Sequence, residues 1–88
     1  MELNELIWDD FNSKHILKHK VTKIEVNEAC QNNKLILLAK NNRILLIGKT
    51  KTNRILSVVL GKVSTGKYYV VTARDSSRKE RKIINEQK

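Results

Sequence analysis

Lys67-Tyr68-Tyr69-Val70-Val71-Thr72-Ala73-Arg74, running directly into Asp75-Ser76-Ser77-Arg78-Lys79-Glu80, decides the fold class. The first run is rich in aromatic and β-branched side chains and reads as a strand. Ser77 and Glu80 stand three apart as a capping box, so a helix opens at Arg78 and runs to about Glu86. Alternation puts Tyr69, Val71 and Ala73 on one face of the strand, which suits a face covered by helices. Tyr68, Val70, Thr72 and Arg74 point the other way, a mixed set ending in a cation that suits a more open face.

Upstream, Leu35 to Lys40, Arg43 to Lys49 and Ile55 to Lys62 are further runs of strand length. Asn41-Asn42, Thr52-Asn53 and Ser64-Thr65-Gly66 separate the runs with turn-forming residues. Gaps this short imply hairpins, hence a four-stranded antiparallel meander. Gly48 and Gly61 fall at or near strand ends, where bulges are expected. Before the strands, Thr22 and Glu25 make another capping box. It opens a helix that carries Ile24, Glu28 and Ala29 and ends near Gln31-Asn32-Asn33. A first helix is expected from a cap at Asp9 or Asp10 to about His19, with acids at its positive end. The order helix, helix, four strands, helix predicts a single α+β domain over residues 1–88, with the helices on one side of the sheet.

The 88 residues are 40% apolar, enough for a small core but not a large one. Lys and Arg number 18 against 9 acids, a net charge of +9. The excess is uneven: residues 1–19 carry −2, residues 20–74 carry +9 and residues 75–88 carry +2. A positive field on this scale points to an anionic partner, although scattered lysines are most often just a solvated surface. Cys30 is alone, so no internal disulfide forms, as suits a reducing compartment. The longest apolar run, Leu35 to Ala39, is far too short to span a membrane. No helix combines a broad apolar face with a basic one, which speaks against a membrane-surface role. Met1-Glu2-Leu3-Asn4-Glu5 lacks the basic start and apolar stretch of a secretory signal, so the cytoplasm is the expected location.

Both histidines lie in the first helix, four residues apart. Asn12, His15, Ile16 and His19 follow the i, i+3, i+4, i+7 spacing of one helix face, yet three of the four are polar. Imidazole is the side chain suited to both giving and taking protons near neutrality. The alternative is structural, with the imidazoles tying the helix to its neighbours. A zinc shared by His15 and His19 lacks the glutamate of an HExxH motif and any obvious third ligand beyond Cys30 or a carboxylate. Asn12 reads as a structural hydrogen-bonder, Trp8 and Phe11 as core anchors, and Tyr69 as core.

Trp8-Asp9, Asn12, His15-Ile16, His19, Val21 and Glu25-Val26-x-Glu28-Ala29 together resemble the opening of the BrnT family of bacterial toxins. Gly48-Lys49-Thr50 with Arg54-Ile55-Leu56-Ser57-Val58-Val59-Leu60 is similar to that family's central hairpin. Tyr69 to Arg81 resembles its closing strand and helix, so the likeness spans about Ile7 to Ile84. Two positions depart from the pattern: Lys20 where glycine is common, and Ile84 where tyrosine is frequent. The resemblance implies a RelE-like fold and a toxin-like domain. It also implies a ribonuclease that blocks translation and a cognate antitoxin that silences it. DNA would be contacted only indirectly, through the antitoxin.

Metal-free RNA cleavage needs a base for the 2′-hydroxyl, an acid for the leaving 5′-oxygen and fixed cations on the phosphate. Under that reading His15, His19, Arg54 and Arg74 are the catalytic candidates, and no cofactor or metal is required. Arginine suits the phosphate because its planar fork donates two bonds at once. Lys18, Tyr68, Arg78, Lys79 and Arg81 are the candidates for holding RNA, Tyr68 by stacking and the cations at phosphates. The ordinary reading of Arg74 is an ion pair with Asp9 or Glu80. The ordinary reading of the basic run in the last helix is a solvated face. A non-catalytic nucleic-acid-binding or antitoxin-binding module on the same scaffold is the alternative function.

Overall fold

The computed structural model describes residues 5–86. The opening residues Met1 to Asn4, read above for a signal sequence, lie outside the described residues. The elements are β1 (Glu5–Ile7), α1 (Asp10–Lys18), α2 (Lys23–Gln31), β2 (Asn33–Leu38), β3 (Arg43–Lys49), β4 (Ile55–Ser64), β5 (Lys67–Asp75) and α3 (Arg78–Glu86). The five strands form one sheet in the order β1-β5-β4-β3-β2. The expected antiparallel meander is β2 to β5. The addition is β1, which pairs in parallel with β5 from Glu5 opposite Lys67 to Ile7 opposite Tyr69. Three residues are too few to show alternation, so only pairing with β5 makes them a strand. The sheet is therefore mixed rather than a four-stranded meander.

The helices start where their caps dictate. Asp9 caps α1 and is answered by Asn12, and Thr22 caps α2 and is answered by Glu25. At α3 the Ser77 amide donates to Glu80 at 2.7 Å while the Glu80 amide donates to the Ser77 hydroxyl at 3.2 Å. Between β2 and β3, Asn41 and Asn42 have φ of 61° and 59°, the paired left-handed residues of a tight hairpin turn.

Ile16, Val21, Val26, Ala29 and Cys30 pack on one face of the sheet, against Ile44, Leu46, Leu56, Val58, Leu60, Tyr68, Val70 and Ala73. Each of the larger aliphatic chains contributes about 1.5–3 kcal/mol on full burial, so this layer is the main source of stability. Ile24 lies outside it, 70% exposed, and Val26 and Cys30 are the inward positions of α2 instead. Gly48 lets α2 approach β3: a Cβ there would overlap the Ala29 carbonyl. The extra residues are not the glycines themselves but lie across from Gly48 and close to Gly61, where Lys62 and Ser64 face Tyr68 and Lys67 and leave Val63 extra. Asn33 and Leu35 face Gly48 and Ile47, so Lys34 is extra; Val59 and Leu60 face Thr72 and Val70, so Val71 is extra.

The Val71 bulge overturns the expected faces of β5. One unpaired residue reverses the alternation, so Tyr68 and Val70 join Ala73 on the core side. Tyr69 is half-buried on the other side, with Thr72 and Arg74. The helices also divide between the two faces. Ser57 points away from the Leu56 and Val58 side, and its hydroxyl donates to Glu80 of α3 at 2.9 Å. Thus α1 and α2 cover one face, and α3 starts over the other. Among the described residues no helix is long and apolar enough to cross a membrane.

The end of α1 shows why glycine suits position 20. His19 closes the helix, and Lys20 follows at φ 59°. The Lys20 amide donates to the Leu17 carbonyl at 2.9 Å and the Val21 amide to the Ile16 carbonyl at 3.1 Å, which is a Schellman motif. Buried Ile16 and Val21 bracket it. A lysine Cβ is strained in this left-handed conformation. Lys20→Gly is expected to stabilise the fold by about 1 kcal/mol, read as a higher urea midpoint. A lower midpoint would refute the strain.

Candidate active site

The site begins with Asn12, which is fully buried. Its carboxamide oxygen accepts from the Asp9 amide at 2.8 Å. Its amide nitrogen donates to the carbonyls of Ile7 and Val70, both at 3.0 Å. Because β1 pairs only as far as Tyr69, β5 is a bare edge beyond that point, and Asn12 docks α1 there. One turn later His15 Nε2 lies 3.1 Å from Thr72 Oγ1, in hydrogen-bond contact. Thr72 and Arg74 sit two apart on the same face of β5, which puts their Cα atoms about 7 Å apart. An imidazole and a guanidinium are thereby brought to one edge of the sheet.

The expected four-residue face of α1 divides. Asn12 and Ile16 point into the protein, His15 is half-buried at the flank and His19 is exposed. The reason is the helix end: His19 is the C-cap, where the chain leaves the helix. A different series lines the flank. Phe11 stacks nearly parallel on His15, centroids 6.2 Å apart and planes 9° from parallel. His15 meets His19 edge to face at 5.3 Å. Phe11, expected in the core, is 73% exposed. Its place was legible in the i, i+4, i+8 spacing of Phe11, His15 and His19, whereas Thr72 as the partner of His15 had no sequence signal. Trp8 does pack against the core, with Lys23 Nζ 5.7 Å from its ring centre.

Arg74 makes the ordinary pair with Glu80. Its two terminal nitrogens donate to the two carboxylate oxygens at 2.9 and 3.2 Å. The Arg74 side chain is 42% exposed, that of Glu80 15%. Glu80 also accepts from the Ser77 amide and from buried Ser57, whose oxygen lies 2.8 Å from the Ser76 hydroxyl. These donors, Arg74 foremost, hold the Glu80 carboxyl down at about 2 against the opposing effect of burial. Farther back along β5 the Tyr69 hydroxyl donates to Asp9 at 3.0 and 3.1 Å. Burial and that bond raise the Tyr69 phenol above its ordinary value.

Arg54 is fully engaged. Nε and one terminal nitrogen grip Asp75 at 2.6 and 3.1 Å. The other terminal nitrogen donates to both Glu25 oxygens at 3.1 and 3.0 Å and to the Lys20 carbonyl at 2.7 Å. A longer bond of 3.4 Å reaches the His19 carbonyl. One guanidinium thus ties the end of α1, the start of α2 and the end of β5, and its hydrogen bonds to Asp75 and Glu25 raise its own pKa. Asp75 is held below the usual carboxylate range chiefly by Arg54. Burial acts to raise Glu25, but the Thr22 amide and Arg54 outweigh it and the carboxyl is lowered.

The RNA-contact candidates scatter. Tyr68, at 5% exposure, offers no ring face to a base. Lys18, Arg78, Lys79 and Arg81 are exposed, and Arg81 donates to the Ser76 carbonyl at 3.1 Å. Among the described residues no group of three or more His, Cys, Asp and Glu is placed to hold a metal. Cys30 is buried, and burial pushes its thiol up to about 12.

Two stability predictions follow from these clusters. Arg54→Lys keeps the charge but loses the fork, and is expected to cost about 2 kcal/mol in chemical denaturation; an unchanged midpoint would remove Arg54 from its role as a clamp. For Glu80, the folded carboxyl lies below its ordinary 4.5. Its stabilisation is therefore complete above pH 4.5 and lost as pH falls from there toward 2. Allowing for screening at half-exposed Arg74, the gap between the parent and Glu80→Gln is expected to be about 1–2 kcal/mol at pH 6. That gap should shrink steadily below pH 4.5; a pH-independent gap would overturn the assignment.

No family model matches the chain, and no curated protein matches it. Its fold does match a solved structure, the crystal structure of the Brucella abortus ribonuclease toxin BrnT. The TM-score is 0.70 with 22% identity, and the match covers 84% of this chain and 97% of that one. The chain carries the fold of BrnT, with three helices and a five-stranded mixed sheet.

Proposed function

We propose that this chain is the toxin of a toxin–antitoxin pair, a metal-independent endoribonuclease that cleaves RNA and so blocks translation. The observation that carries the reading is the contact of His15 with Thr72, two residues before Arg74 on the same face of β5, in a fold shared with a ribonuclease toxin. The chemistry is a transfer within the RNA backbone. One imidazole takes the 2′-hydroxyl proton as its oxygen attacks the adjacent phosphorus. The phosphorus–5′-oxygen bond breaks, and the other imidazole protonates the leaving oxygen. His15 and His19 supply these groups, and Arg74 stabilises charge on the crowded phosphate. Arg54 contributes by holding the His19 end of α1 in place. Lys18, Arg78, Lys79 and Arg81 attract the polyanion, so binding weakens with added salt. A cognate antitoxin holds the toxin silent in the cytoplasm, and DNA is met only through that partner.

The closed pairs at Arg54 and Arg74 favour a second reading, a non-catalytic module that binds nucleic acid or the antitoxin on the same fold. Induced expression in a bacterial host separates the two. The toxin arrests growth, and the purified protein cuts single-stranded RNA in the presence of a chelator. His15→Ala and His19→Ala are each expected to lower the cleavage rate by about 100-fold or more with the fold intact. RNA that is bound but uncut, with unimpaired growth, would establish the binding module.

A further inference from the structure

We propose that Phe11 and His15 form a clamp for one nucleobase of a single-stranded RNA, a role resting on the reading of the chain as an RNA-cleaving toxin. Phe11 is the anomaly that prompts it. A large apolar ring 73% exposed on a small helix forfeits the burial that normally justifies its presence. It stands nearly parallel to the His15 ring, the centroids 6.2 Å apart. That separation is at the long end for a directly packed aromatic pair. Stacked bases repeat at about 3.4 Å, so a base sandwiched between two rings needs them about 6.8 Å apart. The two rings are stacked on each other, so seating a base between them requires exposed Phe11 to swing away from His15.

The His15 side of the clamp is fixed. Its Nε2 contact with Thr72 and its edge-to-face contact with His19 hold the ring upright. The ring face is then available to stack while the ring edge stays at Thr72. A base seated there directs its ribose and phosphate toward the β5 edge, where Arg74 lies two residues beyond Thr72. Lys14 and Lys18 project from the exposed side of the same helix to meet neighbouring phosphates. Single-stranded RNA suits such a slot because its bases can be splayed out, and stacking accepts any base through its π-face. The clamp thus assigns Phe11 a positioning role and makes the target unpaired RNA rather than a duplex.

The test uses the full chain and an uncleavable 2′-O-methyl single-stranded oligonucleotide, with dissociation constants read by fluorescence anisotropy. Phe11→Ala is expected to weaken binding about tenfold, whereas Phe11→Trp retains it. A set of oligonucleotides with single abasic positions supplies the second arm. Removing the clamped base lowers affinity for the parent chain and has no further effect on Phe11→Ala. Equal affinity of the parent and Phe11→Ala, or an equal loss from Phe11→Ala on every abasic oligonucleotide, would overturn the clamp. If Phe11→Ala binds equally while the parent still cleaves RNA, the clamp alone falls. If the parent neither binds nor cleaves RNA, the ribonuclease reading falls with it. Loss of antitoxin binding with unchanged RNA affinity would reassign Phe11 to a protein interface and likewise end the proposal.

Discussion

The buried carboxamide of Asn12 is the constraint on which the rest of the molecule depends. An unsatisfied amide in this position would cost several kcal/mol, and Asn12 avoids that by bonding to three separate pieces of chain. It joins the N-cap of α1, the last carbonyl of β1 and the Val70 carbonyl of β5. Only a carboxamide offers both an acceptor for the Asp9 amide and two donors for carbonyls, and asparagine is the shorter of the two that carry one. The bonds set the position of α1 along β5 and its rotation about its own axis. His15 is one turn further on, so its contact with Thr72 is a consequence of that docking. The same docking covers a strand edge that would otherwise present unpaired backbone groups to other chains.

Charge is handled in two different ways in this protein. Around Arg54 and around Glu80 the ionised groups neutralise each other at short range, each cluster linking elements distant in sequence. These clusters consume Arg54, Arg74, Glu25, Asp75 and Glu80. Two cations and three acids are thus matched internally, so the positive excess of the chain resides entirely on the remaining side chains. A field of that origin attracts an anionic polymer and accelerates encounter without fixing its orientation. Orientation has to come from groups with defined geometry, which here are the rings of α1 and the partly exposed guanidinium of Arg74.

How far the fold could be read from the residues depends on whether the signal was local. The Thr22 and Ser77 capping boxes and the acidic cap at Asp9 or Asp10 are local chemistry, and each helix start read from them is in place. The strands of the meander were legible because their turns carry asparagine and glycine where the backbone needs them. What escaped was set at long range. Three residues of β1 have no pattern of their own, and β5 supplies their pairing. The Val71 bulge leaves no mark in composition, yet it exchanges the environments of Tyr68 and Tyr69. Arg54 illustrates the same limit for the site. A cation in a basic chain reads as a phosphate ligand, and only the convergence of Glu25, Asp75 and two carbonyls shows it spent on structure.

The position of His19 follows from competing demands at the end of α1. A helix can project an i+7 residue along the same face as its first member only while it remains a helix. Here the chain must turn at His19 so that Val21 can reach the core and Thr22 can cap α2. Arg54 binds the carbonyls of His19 and Lys20, which the ended helix leaves without intrahelical partners. The turn therefore removes His19 from the buried face and directs its ring outward, against His15. A fully buried imidazole would be sealed from any polymer, and an unsupported surface one would be unoriented. The early ending of α1 gives an intermediate state, in which the backbone of His19 is anchored by Arg54 and its ring is open to solvent.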